Sequence, residues 1–174
     1  MASFDEVSKI WSGPKIVEEQ KSFIQELFKN LHKTPNKIAQ ISIFEKTELT
    51  YNELRLLSIR AAQNLLDLGV KPGDVIGFIA KNSTYLAPIT FGCFLIGAPI
   101  NSLDAVHQLE DYKHLWGITR PKIIFCDPDK LDLVQEAIKF LNLNAKVFTF
   151  LENIEGFLSV EEVLKETGNE DNFM

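Results

Sequence analysis

Chemistry on an anionic substrate needs donors gathered at one place, and the stretch "GVKPGDVIGFIAKNS" (residues 69–83) offers glycines, a lysine and hydroxyl-bearing residues close together. Phosphates are held where a strand ends and a helix begins, because free N–H groups and the helix dipole converge there. Gly69 and Gly73 fall at the opposite junction, where a helix gives way to a strand and carbonyls are exposed. "KPGD" reads as a tight turn, and Gly77, inside the following apolar run, marks a close approach by another element. The correct junction is "AKNSTY". There Asn82 or Ser83 can cap the next helix and Lys81 lies beside them, so these three residues are the candidates for a weak anion contact. Capping alone accounts for them, since no glycine lets backbone close on a phosphate.

Other chemical constellations are thin. Ser12, Gly13, Pro14 and Lys15 superficially resemble the end of a phosphate loop, but no strand leads into them and the spacing G-x-x-x-x-G-K is absent from the sequence. They read as an extended arm. His32, His107 and His114 lack metal-ligand spacing. Asp127 and Asp129 flank Pro128 at a strand end, a position open to a ligand in an α/β sheet and equally suited to a turn and helix cap, with the cap favoured. No G-x-S-x-G elbow is present. Cys93 and Cys126 each sit in apolar runs and read as buried thiols of a reducing compartment.

The elements that would position these residues follow from periodicity. Phe23, Leu27, Phe28 and Leu31 share a helical face in a segment starting near Glu18. Residues 38–44 read as a strand with "EKTE" as its turn. Thr50 and Glu53 form a capping box opening a helix that Gly69 stops. Residues 75–80 make a buried strand. A helix over 84–96 tolerates Pro88 in its first turn, and "APIN" forms the next strand. A helix over 104–116, a strand "KIIFCD", a helix "DLVQEAIKFL" with Leu133, Ile138 and Leu141 inward, and a strand "AKVFTF" complete the alternation. Ser159 and Glu162 suggest a second capping box for a last short helix. This order predicts an α/β fold, an open and mostly parallel sheet with flanking helices.

Bulk properties narrow the function classes. A net charge of −6 opposes a broad grip on nucleic acid. The uncharged run 82–103 is broken by prolines and glycines, and reads as a buried helix and strand rather than a membrane span. The N-terminus lacks the layout of a secretory signal, and "EDNFM" is no receptor-read address. The expected compartment is the cytoplasm.

Together, "LTYNELRLLSIRAAQNLLDLGVKPGDVIGFIAKNS", "FLIGAPIN", "PKIIFCD", "IWSGPK" and "NKIAQIS" resemble the N-terminal part of the adenylate-forming acyl-CoA synthetase family, in its insect luciferase-like and 4-coumarate-CoA ligase-like branch. The likeness implies the N-terminal subdomain of such an enzyme: an arm over 1–17, an α/β scaffold over 18–166 and a frayed tail over 167–174. Full-length members use ATP and magnesium to join a carboxylic acid to AMP, then usually pass the acyl group to coenzyme A, and often carry a peroxisomal address. The family's Ser/Thr/Gly-rich loop, Tyr-Gly-x-Thr-Glu and Thr-Gly-Asp stretches and late lysine do not occur in residues 1–174. Ser102 also stands where the family usually has a proline. The resemblance therefore implies a scaffold that is inactive alone, with no catalytic residue, no metal site and no cofactor of its own. Its expected partner is the remainder of the ligase, or a second copy through an uncovered sheet surface. Two other readings are a non-catalytic interaction module and an independent nucleotide binder using "AKNSTY" or "CDPD".

Overall fold

The computed structural model describes residues 3–7, 9–12 and 22–173. Its elements are β1 (Ser3–Asp5), β2 (Ile10–Ser12), α1 (Phe23–Lys33), β3 (Ile38–Ser42), β4 (Thr47–Thr50), α2 (Tyr51–Asp67), β5 (Ile76–Ile79) and α3 (Leu86–Leu95), then β6 (Ile100–Ser102), α4 (Leu109–Thr119), β7 (Ile123–Cys126), α5 (Leu131–Leu141), β8 (Lys146–Thr149) and β9 (Leu158–Ser159). Short 3-10 turns span Pro128–Lys130, Val160–Leu164 and Glu170–Asn172.

The central sheet has the order β6-β5-β7-β8-β9, and every pairing in it is parallel. Helices cover both of its faces, as apolar strands of this kind require. Period-2 alternation sorts the side chains. Ile76, Phe78, Ile123, Phe125 and Phe148 join the core under α2 and α3. Ile79, Ile124, Cys126 and Val147 face the core under α4 and α5. Phe78, Phe125 and Phe148 form a ladder across three adjacent strands, with successive ring centroids 5.2 Å apart. Each such fully buried ring contributes about 2–3 kcal/mol by removal from water. A Cβ on Gly77 would lie 3.3 Å from Ile124 Cγ1 and 3.4 Å from Pro121 Cβ, the close approach its sequence context suggests.

Two small antiparallel sheets lie outside this layer, β1–β2 and β3–β4; β2 ends at Ser12, so a strand does lead into "SGPK", against the sequence expectation. The segment expected as one strand over 38–44 is thus the first arm of a hairpin. Its turn occupies 43–46, and Thr47 and Glu48 belong to the returning strand. Residues 13–21, which include most of "SGPK" and the expected helix start at Glu18, lie outside the described residues.

Local signals placed α2 and α3 well. Thr50 Oγ1 accepts from the Glu53 N–H at 3.2 Å while Glu53 accepts from the Thr50 N–H at 2.8 Å, completing the capping box. Pro88 falls in the first turn of α3. The fourth helix starts later than expected, at Leu109, because Asp104 instead closes a turn through the Val106 N–H at 3.0 Å. In α5 the fully buried line is Leu131, Val134 and Ala137, with Leu133, Ile138 and Leu141 half-buried on its flanks.

Two expectations about the C-terminal segment need correcting. Ser159 caps Val160–Leu164 through the Glu161 N–H at 3.2 Å without the reciprocal bond, because Glu162 pairs with Lys165 at 2.7 Å. Residues 167–173 are held rather than frayed. Arg60 on α2 binds Glu166 at 2.5 Å and Glu170 at 2.9 Å, Gln63 Nε2 donates to the Asn169 carbonyl at 3.0 Å, and Phe173 packs against the core. These polar partners lie over a hundred residues away in sequence, which hides them from local reading.

Candidate functional site

In an open α/β sheet, ligands collect beyond the strands' carboxyl ends where the strand order reverses. Here β6 lies on one side of β5 and β7 on the other, so the reversal falls between β5 and β7. The residues following those strands are Ala80–Ser83 and Asp127–Asp129, the two groups singled out by sequence.

The structure ties the two loops together. The Asp127 N–H donates to the Ile79 carbonyl at 2.9 Å, and the Lys81 N–H donates to Asp127 Oδ2 at 2.9 Å. Asp127 is 1% exposed, and its Oδ1 has no partner. Burial pushes its carboxyl above the usual range, opposed by the bond from Lys81. The side chain makes no cap on the 3-10 turn it precedes, correcting the cap reading: it is a clamp between neighbouring strands. Lys81 Nζ lies 3.7 Å from Asp129, a pair that water screens because both side chains are more than half exposed.

The capping assigned to Asn82 or Ser83 also needs correction. Helix α3 begins at Leu86 with no side-chain cap, and the Ser83 hydroxyl is buried without a partner. At this junction the Thr84 N–H is already taken by an anion of the protein itself. Thr84 N–H and Thr84 Oγ1 each donate to Glu45 Oε2 at 2.6 Å, and Ser42 Oγ donates to the same oxygen at 2.8 Å. Since the Thr84 hydroxyl gives its proton to a carboxylate, the short contact between the Thr47 and Thr84 hydroxyls has Thr47 as donor. Gln40 Nε2 donates to the Thr84 carbonyl at 3.0 Å. Partial burial raises the Glu45 carboxyl's pKa, and the bonds from Thr84 and Ser42 outweigh it, so the group titrates below its ordinary range. The hairpin turn thus carries an internal anion to the start of α3. Sequence reading treated Glu45 as a plain turn residue; the Ser42–Glu45 spacing was the available signal, but its destination, Thr84, is 39 residues away.

At the other pole, the sequence reading holds. Gly69 and Gly73 have φ of +85° and +90°. The Gly69 carbonyl accepts from Lys122 Nζ at 2.6 Å, and Lys122 also pairs with Asp74 at 2.8 Å. A cation on a helix's carbonyl end is the electrostatic opposite of a phosphate cradle.

Nothing nucleophilic is assembled among the described residues. His32 lies in the last turn of α1, His107 precedes α4 and His114 is on it, and among the described residues no group of three His, Cys, Asp or Glu could hold a metal ion. Burial raises the Cys93 and Cys126 thiols to about 12, so neither supplies a thiolate at neutral pH. No described helix is long and apolar enough to cross a membrane. Two cavities flank Ser83. One of about 380 Å³ lies between the hairpin and α3, lined by Ile41, Ile43, Phe44 and Leu86 among others. The second, of about 250 Å³, is lined by Glu45, Tyr85, Phe150 and Glu161 among others.

Comparison with known proteins gives this architecture a family. The luciferase-like enzyme from the nonluminescent mealworm Zophobas morio superposes with a TM-score of 0.82 at 24% identity, covering 92% of this chain and 38% of that one. A benzoate CoA ligase from Burkholderia xenovorans LB400 superposes with a TM-score of 0.73 at 19% identity, over 83% and 28%. In sequence, the chain is 27% identical to probable acyl-activating enzyme 21 of Arabidopsis thaliana over 64% of its length and 25% identical to luciferin 4-monooxygenase of Luciola mingrelica over 75%. It spans 21% and 24% of those two relatives. Residues 27–171 match the family described as AMP-binding enzyme, and the chain belongs to that family.

Proposed function

We infer that this polypeptide is the N-terminal scaffold of an acyl-CoA synthetase-like or luciferase-like ligase, and that it does not form an acyl-adenylate alone. The observation that carries the reading is Glu45: the strand-to-helix junction beside the sheet's reversal point already holds a carboxylate, bonded to the Thr84 amide at 2.6 Å. A triphosphate brought there would meet a fixed negative charge at the Thr84 amide. Lys81 and Lys130 are cations near Asp127, and Lys81 faces Asp129. These residues do not fit ATP or its magnesium, so no step of adenylation is assigned to them. ATP, magnesium and coenzyme A belong, in this reading, to a longer relative, as does a peroxisomal destination; the cytoplasm is the proposed compartment here.

Stabilising a transferring phosphoryl group needs several preorganised amides and cations. The direct test is pyrophosphate release from ATP and magnesium with a panel of fatty and aromatic acids. No turnover above background is expected, and clear turnover by this chain alone refutes the reading.

A second reading, a non-catalytic interaction module, has one specific support. The faces of the central sheet are covered by helices, but the β3–β4 hairpin presents Ile43 and Phe44 at 82% and 96% exposure. Such a patch suits contact with the remainder of a ligase or with another copy. Size-exclusion chromatography with dye binding separates the readings: a compact monomer that binds no dye removes this one.

A further inference from the structure

The tip of the β3–β4 hairpin and the groove beside it match each other in shape and charge. Ile41 is 61% exposed and adds to the open surface of Ile43 and Phe44. Together these three residues leave roughly 500 Å² of mostly apolar surface uncovered. The groove of about 380 Å³ runs between the hairpin and α3, walled by Ile41, Ile43, Leu86 and Ala87. Phe44 stands at its rim and, being almost fully exposed, does not fill it. We propose that two copies of this chain pair about a two-fold axis at this face, each placing Phe44 in the groove of the other. The proposal takes its surface from the interaction-module reading above and commits that surface to self-association.

Shape, area and charge single out a second copy as the occupant. One face carries both the projecting ring and the apolar hollow, as a self-matching two-fold contact requires. Joining two such patches removes about 1,000 Å² from water, the size at which a contact becomes specific. Glu48 lies opposite Ile41 in the hairpin register, so the two share one face of the hairpin. Lys46 follows two residues after Phe44, in the turn. Both charged residues are exposed, and neither has an ion-pair partner among the described residues. Inserting Phe44 into the facing groove carries Lys46 toward the other copy's Glu48, and the axis repeats the pair. Such rim charges set register more than affinity. The sheet β3–β4 has two strands only, so the outer edge of β3 pairs with no strand and is open to the second copy.

The test is sedimentation equilibrium of the chain over about a hundredfold range of concentration, where a monomer–dimer equilibrium is expected. Phe44→Ser removes a ring that its own fold leaves uncovered, and weakens the dimer about a hundredfold because the loss is felt on both sides of the axis. Phe140→Ser, which removes an exposed ring on α5, leaves association unchanged. Lys46→Glu and Glu48→Lys each weaken the dimer about threefold at low salt, and the two together restore it. A chain that stays monomeric while binding a hydrophobic dye overturns the self-contact and leaves the face to the remainder of a ligase. Association that survives Phe44→Ser, or that the paired charge exchange does not restore, overturns it as well.

Discussion

The crossing of α2 and α3 makes a quantitative demand on Gly92. A Cβ added there would lie 2.6 Å from Ala61 Cβ, 3.0 Å from the Ala62 amide nitrogen and 3.0 Å from the Ser58 carbonyl oxygen. Carbon atoms rest about 3.5–4.0 Å apart, so Gly92→Ala requires the helices to separate by about 1 Å. Two of the three obstructing atoms are main chain and cannot rotate away. Overpacking of this kind costs about 1–3 kcal/mol, and the better helix propensity of alanine returns about 1 kcal/mol. Because the wall is rigid, the upper end of the cost applies and the net loss is about 2 kcal/mol. In a chain of this length that lowers Tm by about 4–8 °C. Gly117 on α4 is the internal control, since its added Cβ would meet nothing closer than Leu141 Cδ2 at 3.7 Å. Gly117→Ala should therefore stabilise by about 1 kcal/mol from propensity alone. Urea unfolding of the three proteins gives both signs in one experiment. If Gly92→Ala matches or exceeds the parent in stability, the close approach of the helices is wrong.

Three further outcomes follow from the polar joints. Glu45→Gln should destabilise by about 1–2 kcal/mol at neutral pH, the value of charge-assisted bonds. Its folded pKa lies below the ordinary 4.5, so the stability it confers is present above that pH and is lost as pH falls through the lower folded value. Unfolding curves between neutral pH and about pH 3 should thus show a weaker acid dependence in Glu45→Gln, and an unchanged dependence argues against the joint. Arg60→Ala should release the C-terminal segment, accelerating hydrogen exchange at 166–173 while the central strands keep their protection. Glu170 stays ionised down to about 2, held first by its own N–H and that of Thr167 and then by Arg60, so the latch should persist through mild acid; exchange indifferent to the substitution contradicts it. Finally, Cys93 and Cys126 should resist a thiol reagent in the folded chain and react on unfolding, and rapid modification of the native protein would show that either thiol is not buried as described.

The contrast between what was legible and what was not follows the range of each signal. The capping box of α2 is complete within four residues, and the strands β5, β7 and β8 are short apolar runs bounded by turns, so each announces itself locally. The strand Thr47–Thr50 does not. "TELT" is mostly polar, its last residue doubles as a helix cap, and its pairing depends on the tertiary position of β3. The cap expected from Asn82 or Ser83 is absent from α3, and the one expected from Asp127 failed because its side chain serves a neighbouring strand. A short polar side chain at a strand end can serve its own helix or a neighbouring element, and sequence records only the first option. Asp127 bonds across to Lys81, and Thr84 receives its anion from a distant hairpin.

That exchange of partners bears on function. In an open parallel sheet the crevice at the reversal point is available to a ligand because neighbouring loops diverge there. Here the loops after β5 and β7 are bonded to each other, and the amide before α3 is closed by Glu45. Three segments far apart in sequence are thereby fixed where a nucleotide could otherwise lodge. The same contacts make the edge rigid: removing Glu45 would expose the Thr84 amide but also loosen the hairpin, leaving Gln40 and Thr47 to hold it to Thr84. On the function proposed above, a substitution at Glu45 opens the Thr84 amide only by loosening this joint. The carboxylate is a joint first, and the loss of an anion position is its consequence.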